Sequence, residues 1–80
     1  MWEAKVLPGQ LDEALDWLRE EVLPDALAQP GCEGAEGFQA VGDERLVVIS
    51  RWADGAADWA PGRPYRRLLR RSHTWLFRPA

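Results

Sequence analysis

Hydrophobic and polar positions alternate through the opening of the chain, then change period. Trp2, Ala4 and Val6 alternate with Glu3 and Lys5, the period of a half-buried strand. Pro8-Gly9 breaks it. Over residues 10–28, Leu11, Leu15, Leu18 and Val22 recur at helical spacing and make one apolar stripe. Asp12 and Glu13 fall in the first turn, where the helix dipole favours negative charge. Pro24 removes an amide hydrogen from this helix, so the pattern predicts a kink at Leu23 or a restart with Pro24 in a first turn. Pro30-Gly31 stops it.

The period returns to two over residues 32–41. Cys32, Gly34, Glu36, Phe38 and Ala40 share one face, and Gly34 and Gly37 predict a bulge or a close approach by another group. Gly42-Asp43 fits a two-residue type II′ hairpin turn. Residues 45–52 make the most apolar strand: Leu46, Val48, Ser50 and Trp52 lie on one face, Val47 and Ile49 on the other. A strand apolar on both faces belongs in the middle of a sheet with cover on each side. Residues 53–59 read as a short helix capped by Asp54, and residues 65–71 as a second helical piece. Residues 72–78 read as a fourth strand, with His73, Trp75 and Phe77 on one face.

The predicted order is strand, helix, strand, strand, short helices, strand. It describes an α+β, ferredoxin-like domain over residues 1–80: one four-stranded antiparallel sheet with helices on one face. The other face is left bare, and a two-fold dimer stacking two sheets would cover it.

Composition sharpens this picture. The chain has 80 residues, 46% of them hydrophobic, with five Trp. A domain of this size buries only about 60% of its unfolded surface. The surplus apolar bulk therefore points to a homo-oligomer or to an aromatic ligand pocket. The single Cys32 excludes an internal disulfide. The opening Met1-Trp2-Glu3-Ala4-Lys5 lacks the basic start and apolar run of a signal peptide. No apolar run approaches the roughly 18 residues of a membrane span. A cytoplasmic protein with no membrane partner is expected. Nine of ten basic residues are Arg and Asn is absent, a bias that suggests a GC-rich bacterial source. The net charge of −3 is split: residues 1–60 carry −9 and residues 61–80 carry +6. Such a split indicates an anion site, or attraction between the two halves across the fold or a dimer. Nucleic acid is not expected on an acidic chain with one basic run.

At this point the chain resembles the dimeric α/β-barrel superfamily, in its antibiotic-biosynthesis monooxygenase (ABM) form. The residues that carry the resemblance are Trp2-Glu3-Ala4-Lys5-Val6, Pro8-Gly9, the amphipathic helix, Gln29-Pro30-Gly31-Cys32-Glu33-Gly34-Ala35-Glu36, and Val47-Val48-Ile49-Ser50-Arg51-Trp52-Ala53-Asp54. The likeness is close over residues 1–54 and holds in outline over 55–80, where two prolines break the second helix of the family. The resemblance implies a homodimer, two sheets packing as a dimeric α/β barrel, with a pocket between each sheet and its own helices. It also implies that some members oxygenate polyphenol or quinol-type substrates with no cofactor. The protein then supplies a base, oxyanion donors and a dry aromatic cavity. Haem-degrading relatives use an Asn, a Trp and a His; Trp59 resembles that Trp. The Asn position falls near Ala4 or Lys5, and residues 65–71 hold no His, which speaks against haem degradation.

The candidate site follows. His73, the lone histidine, is the candidate base, and Arg66, within the run Arg66, Arg67, Arg70 and Arg71, the candidate anion holder. Trp59, Tyr65, Trp52, Trp75 and Phe38 are candidates for binding an aromatic metabolite by stacking. Trp17, Trp52 and Trp75 also suit a core, and the arginines suit a solvated helix face. Cys32 fits a small buried residue. One His and one Cys make no zinc site, and no cofactor is expected. The expected function is a small ABM-like homodimer that binds an aromatic metabolite, as a cofactor-independent monooxygenase. The alternative is a non-catalytic ligand-binding or interaction module on the same fold.

Overall fold

The computed structural model describes residues 1–53, 59–64 and 67–77. Four strands, β1 (Trp2–Val6), β2 (Cys32–Gln39), β3 (Arg45–Trp52) and β4 (Leu69–Thr74), form one antiparallel sheet in the order β2-β3-β1-β4. This is the ferredoxin-like order. β3 is central, as its two apolar faces require. A helical ribbon from Leu11 to Ala28 packs on one face.

That ribbon has three parts: α1 (Leu11–Trp17), a π-helical turn (Leu18–Val22) and α2 (Leu23–Ala28). Backbone angles stay helical through both junctions. Leu23 N–H donates to the Leu18 carbonyl, five residues back. The next residue, Pro24, has no N–H and its ring would crowd the carbonyl four residues earlier. A widened turn relieves that crowding. The predicted restart is met, with Pro24 in the first turn of a short helix that runs through Ala28; a π turn, rather than a break, joins it to α1.

Two Pro-Gly pairs set the ribbon's ends. Gln10 N–H donates to Leu7 O at 3.1 Å and Cys32 N–H to Gln29 O at 3.2 Å. Gly9 and Gly31 take φ of 77° and 83°. Proline then glycine at the two central positions is the type II pattern.

The core is Trp2, Ala4 and Val6 of β1, Leu46 and Val48 of β3, Ala14, Trp17, Leu18 and Val22 of the ribbon, and Leu68. Trp2 meets Trp17 edge-on, with ring centroids 6.0 Å apart, a geometry that adds about 0.5–1.5 kcal/mol beyond burial. Both predicted roles for the β2 glycines occur. A β-bulge lies between Cys32 and Gly34. A Cβ at Gly37 would stand 2.8 Å from Leu18 Cδ2, so glycine there lets the ribbon approach β2. The bulge also turns Cys32 to the face opposite Gly34, Glu36 and Phe38, because Cys32 pairs with Trp52 and Gly34 with Arg51.

Three expectations are corrected. The β2–β3 turn is longer than two residues: Ala40 N–H donates to Arg45 O at 3.0 Å, enclosing Val41–Glu44, with Gly42 at φ 77°. The helical reading of residues 65–71 fails over 67–71. Leu68 O accepts from Leu7 N–H at 2.8 Å and Leu69 pairs with Val6, so pairing with β1 overrides local helix preference. The fourth strand accordingly starts at Leu69 and ends at Thr74. The last rungs are the reciprocal bonds between Met1 and Trp75, each 2.7 Å, and Leu76 and Phe77 lie exposed beyond them. The helix predicted for residues 53–59 lies mostly outside the described residues.

Candidate functional site

The register assigns every strand side chain to a face. Trp2 pairs with Val48 and Thr74, and Ala4 with Leu46 and Ser72; these point toward the helical ribbon. Glu3 pairs with Val47 and His73, and Lys5 with Arg45 and Arg71; these point to the open face. Phe38 pairs with Val47 and Glu36 with Ile49, also on the open face.

The predicted site residues therefore fall into two groups. Trp52 and Trp59 are on the ribbon side, with ring centroids 6.1 Å apart. Trp59 Nε1 donates to Asp25 Oδ2 of α2 at 2.9 Å, and Trp52 Nε1 to Ser50 Oγ at 2.9 Å. Trp59 packs against the core. His73, Trp75 and Phe38 are on the open face. His73 lies 4.3 Å from the Trp75 ring, centroid to centroid. The shared face of His73 and Trp75 is thus not the one that meets the helix, and Trp75 is exposed rather than core. Tyr65 and Arg66 lie outside the described residues.

Two clefts flank β4, the edge strand. The first, on the ribbon side, holds about 530 Å³. Its apolar wall is Trp2, Leu68, Leu69, Pro61 and Pro64, and its charged rim is Arg63, Arg67, Arg70 and Arg71. Among the described residues no carboxylate lines it. A β-bulge opposite Lys5 and Val6 makes Arg70 the extra residue of β4, which frees its side chain from the alternation. Arginine forks over an apolar floor suit a flat anion: the floor takes the ring and the guanidiniums take the charge.

The second cleft, on the open face, holds about 300 Å³ between Glu3, Lys5, Arg45, Arg71, Ser72, His73 and Trp75. Arg45 spans Glu3 at 2.9 Å and Asp43 at 3.4 Å. Lys5 and Arg45 had no place in the sequence-based site. Their signal was their parity with Glu3 on paired strands, which becomes readable only once the register is known.

Beside this charged part, the open face carries an apolar patch, bordered by the Arg51–Glu36 ion pair. Phe38 is 46% exposed and Ile49 45%, and Val47 is the direct partner of Phe38. Among the described residues no group of His, Cys, Asp and Glu is placed to hold a metal ion. No helix there is long and apolar enough to cross a membrane.

Neither the curated proteins nor the solved structures gave a significant match to this chain. A family model does match it, over residues 1–68, through β1, the ribbon, β2, β3 and Leu68 beside β4. With that span and the ferredoxin-like strand order, the chain belongs to the antibiotic biosynthesis monooxygenase family.

Proposed function

We propose that this chain is a homodimeric member of the family that captures an acidic phenol, as its phenolate, in the cleft over β4. One observation carries the reading: among the described residues, four arginines and no carboxylate surround a floor of Trp2, Leu68 and Leu69. Nearby cations favour the ionised form of a phenol and lower its pKa. The cleft thus performs by electrostatics part of what a base would do. Dimerisation is supported by Phe38, Val47 and Ile49, an apolar patch on an otherwise uncovered sheet face.

Oxygenation of the bound phenolate is the finer form of this proposal. An ionised polyphenol passes an electron to dioxygen more readily than the neutral phenol does. The described lining holds no His, Asp or Glu, and His73 lies across the sheet. That placement favours the non-catalytic reading, in which the chain binds an aromatic anion and releases it unchanged.

The test uses 4-nitrophenol, whose phenolate absorbs visible light. The expected result is saturable binding with the apparent pKa of the bound probe lowered, and loss of both in Arg67→Gln. An unshifted probe spectrum would sink the phenolate reading. Oxygen uptake with quinol or anthrone substrates then separates the two forms. Uptake abolished in Arg67→Gln supports the monooxygenase, and binding without uptake supports the binding module. His73→Ala retaining full uptake removes His73 as a base.

A further inference from the structure

We propose that the open-face cleft is a second anion site, built for a phosphate-type dianion. The argument starts from register. Arg45, Lys5 and Arg71 are direct partners on the adjacent strands β3, β1 and β4, so three cations stand side by side on one face. Neighbouring strands are only about 4.8 Å apart. Like charges directly opposite each other destabilise a sheet. A fold retains such a row at a cost unless something negative meets it.

The chain's own acids leave most of that row unmet. Glu3, the only carboxylate among the described residues that line the cleft, is engaged by Arg45 at 2.9 Å. Asp43 is likewise held by Arg45, at 3.4 Å. Even so, Arg45 Nε is buried with no acceptor. Lys5 and Arg71 have no carboxylate partner among the described residues. The lining therefore carries two cations beyond what Glu3 neutralises.

Two uncompensated cations on neighbouring strands match the two charges of a phosphate. Its oxygens accept from the Arg71 guanidinium fork and from the Lys5 ammonium together. His73, in the next row and on the same face, adds a ring nitrogen to that side. The adjoining Trp75 ring, 4.3 Å from His73, gives an apolar wall beside the anion. A monoester carrying a flat group would rest there, whereas free phosphate would not use it.

Inorganic phosphate and phenyl phosphate are titrated into the full chain at constant ionic strength, followed by backbone NMR shifts and by thermal melting. Saturable binding is expected, with shifts in β1 and β4. Lys5→Gln and Arg71→Gln each weaken it about tenfold or more, the loss of one charge-assisted contact. Arg67→Gln, in the other cleft, leaves the binding of inorganic phosphate unchanged. Phenyl phosphate binding more tightly than phosphate, with the advantage lost in Trp75→Ala, identifies a monoester; equal binding identifies free phosphate.

A second readout does not need the ligand. In phosphate-free, low-salt buffer Lys5→Gln melts higher than wild type, because it relieves the row. Non-saturating shifts that chloride reproduces, undiminished binding in Lys5→Gln, or a lower melting point of Lys5→Gln without phosphate would each overturn the site. The phenolate reading is separable, since it depends on Arg67 and not on Lys5.

Discussion

Two strand glycines should respond in opposite ways to the same substitution. A Cβ at Gly37 would lie 2.8 Å from Leu18 Cδ2 and 3.4 Å from Leu23 Cδ1. Carbon atoms in contact prefer about 3.5–4.0 Å, so the leucine must retreat by about 0.7 Å or more. Leu18 is 3% exposed and sits where the π turn meets the sheet, so the retreat disturbs packed neighbours. Such overpacking costs about 1–3 kcal/mol. Replacing a glycine returns about 0.4–1 kcal/mol through the unfolded chain. The net for Gly37→Ala is a loss of up to about 2.6 kcal/mol, centred near about 1.3 kcal/mol, and each kcal/mol lowers Tm by about 4–8 °C in a domain of this size. At Gly34 the new Cβ meets only the Arg51 guanidinium. That side chain is 63% exposed and swings away, giving up an exposed ion pair with Glu36 at 3.7 Å that is worth little. Gly34→Ala should therefore be neutral or stabilising by up to about 1 kcal/mol.

Urea unfolding followed by tryptophan fluorescence measures both, because Trp2 and Trp17 are buried in the core. The mechanism is isolated by a double-mutant cycle with Leu18→Ala. That change alone costs about 2–5 kcal/mol. Combined with Gly37→Ala it should cost less than the sum, with coupling of about 0.5–2 kcal/mol. Equal stability of Gly37→Ala and Gly34→Ala, or strict additivity with Leu18→Ala, would refute the close approach of ribbon and β2.

Three further outcomes are expected. Phe38→Glu and Ile49→Lys place charge in the apolar patch of the open face and should convert a dimer to a monomer in light scattering while circular dichroism stays native; a wild-type monomer at micromolar concentration rules the dimer out. Asp25→Ala removes the acceptor of Trp59 Nε1 and should cost about 0.5–1.5 kcal/mol; in a Trp59→Phe background the loss shrinks to that of the longer Gln29 Nε2 bond to the same carboxylate. Leu46→Ala, at a fully buried site in the central strand, should cost about 2–5 kcal/mol; a loss below 1 kcal/mol in urea unfolding would contradict its place at the centre of the core.

Much of the fold is legible in residue order because its strong signals are local. The alternation in β1, the both-faced apolarity of β3 and the two Pro-Gly stops each need only a few neighbouring residues. β4 is different. Leu68 to Arg71 looks helical in isolation, yet its backbone pairs with β1, a partner more than sixty residues away. The grouping of His73 with Trp75 follows from parity and is correct. Which face they occupy does not follow from parity, and the usual rule of aromatics inward gives the wrong side. Trp2 already fills the ribbon side of this edge, so the small Ser72 and Thr74 pair beside Ala4 and Trp2. That single inversion moves the lone histidine away from the helix-covered cleft. It also separates Trp75 from Trp52 and Trp59, while Phe38 takes the open face through its own pairing with Val47.

The charge split now has a narrower meaning. Attraction between an acidic first part and a basic last part would appear as ion pairs joining them. Among the described residues the pairs are Arg19–Asp16, Arg45–Glu3, Arg45–Asp43 and Arg51–Glu36, all within residues 1–53. Arg63, Arg67, Arg70 and Arg71 take part in none of them. Four of the ribbon's acids, Asp12, Asp16, Glu20 and Glu21, are exposed, while Asp25 accepts from Trp59 Nε1. The arginines gather instead around β4, where they border a cleft on each face of its edge. The charge of these four arginines is not spent on ion pairs among the described residues. It is available to anions, and the two clefts differ in what they offer: an apolar floor for a flat ring on the ribbon side, and a bare cationic row for a compact dianion on the open side.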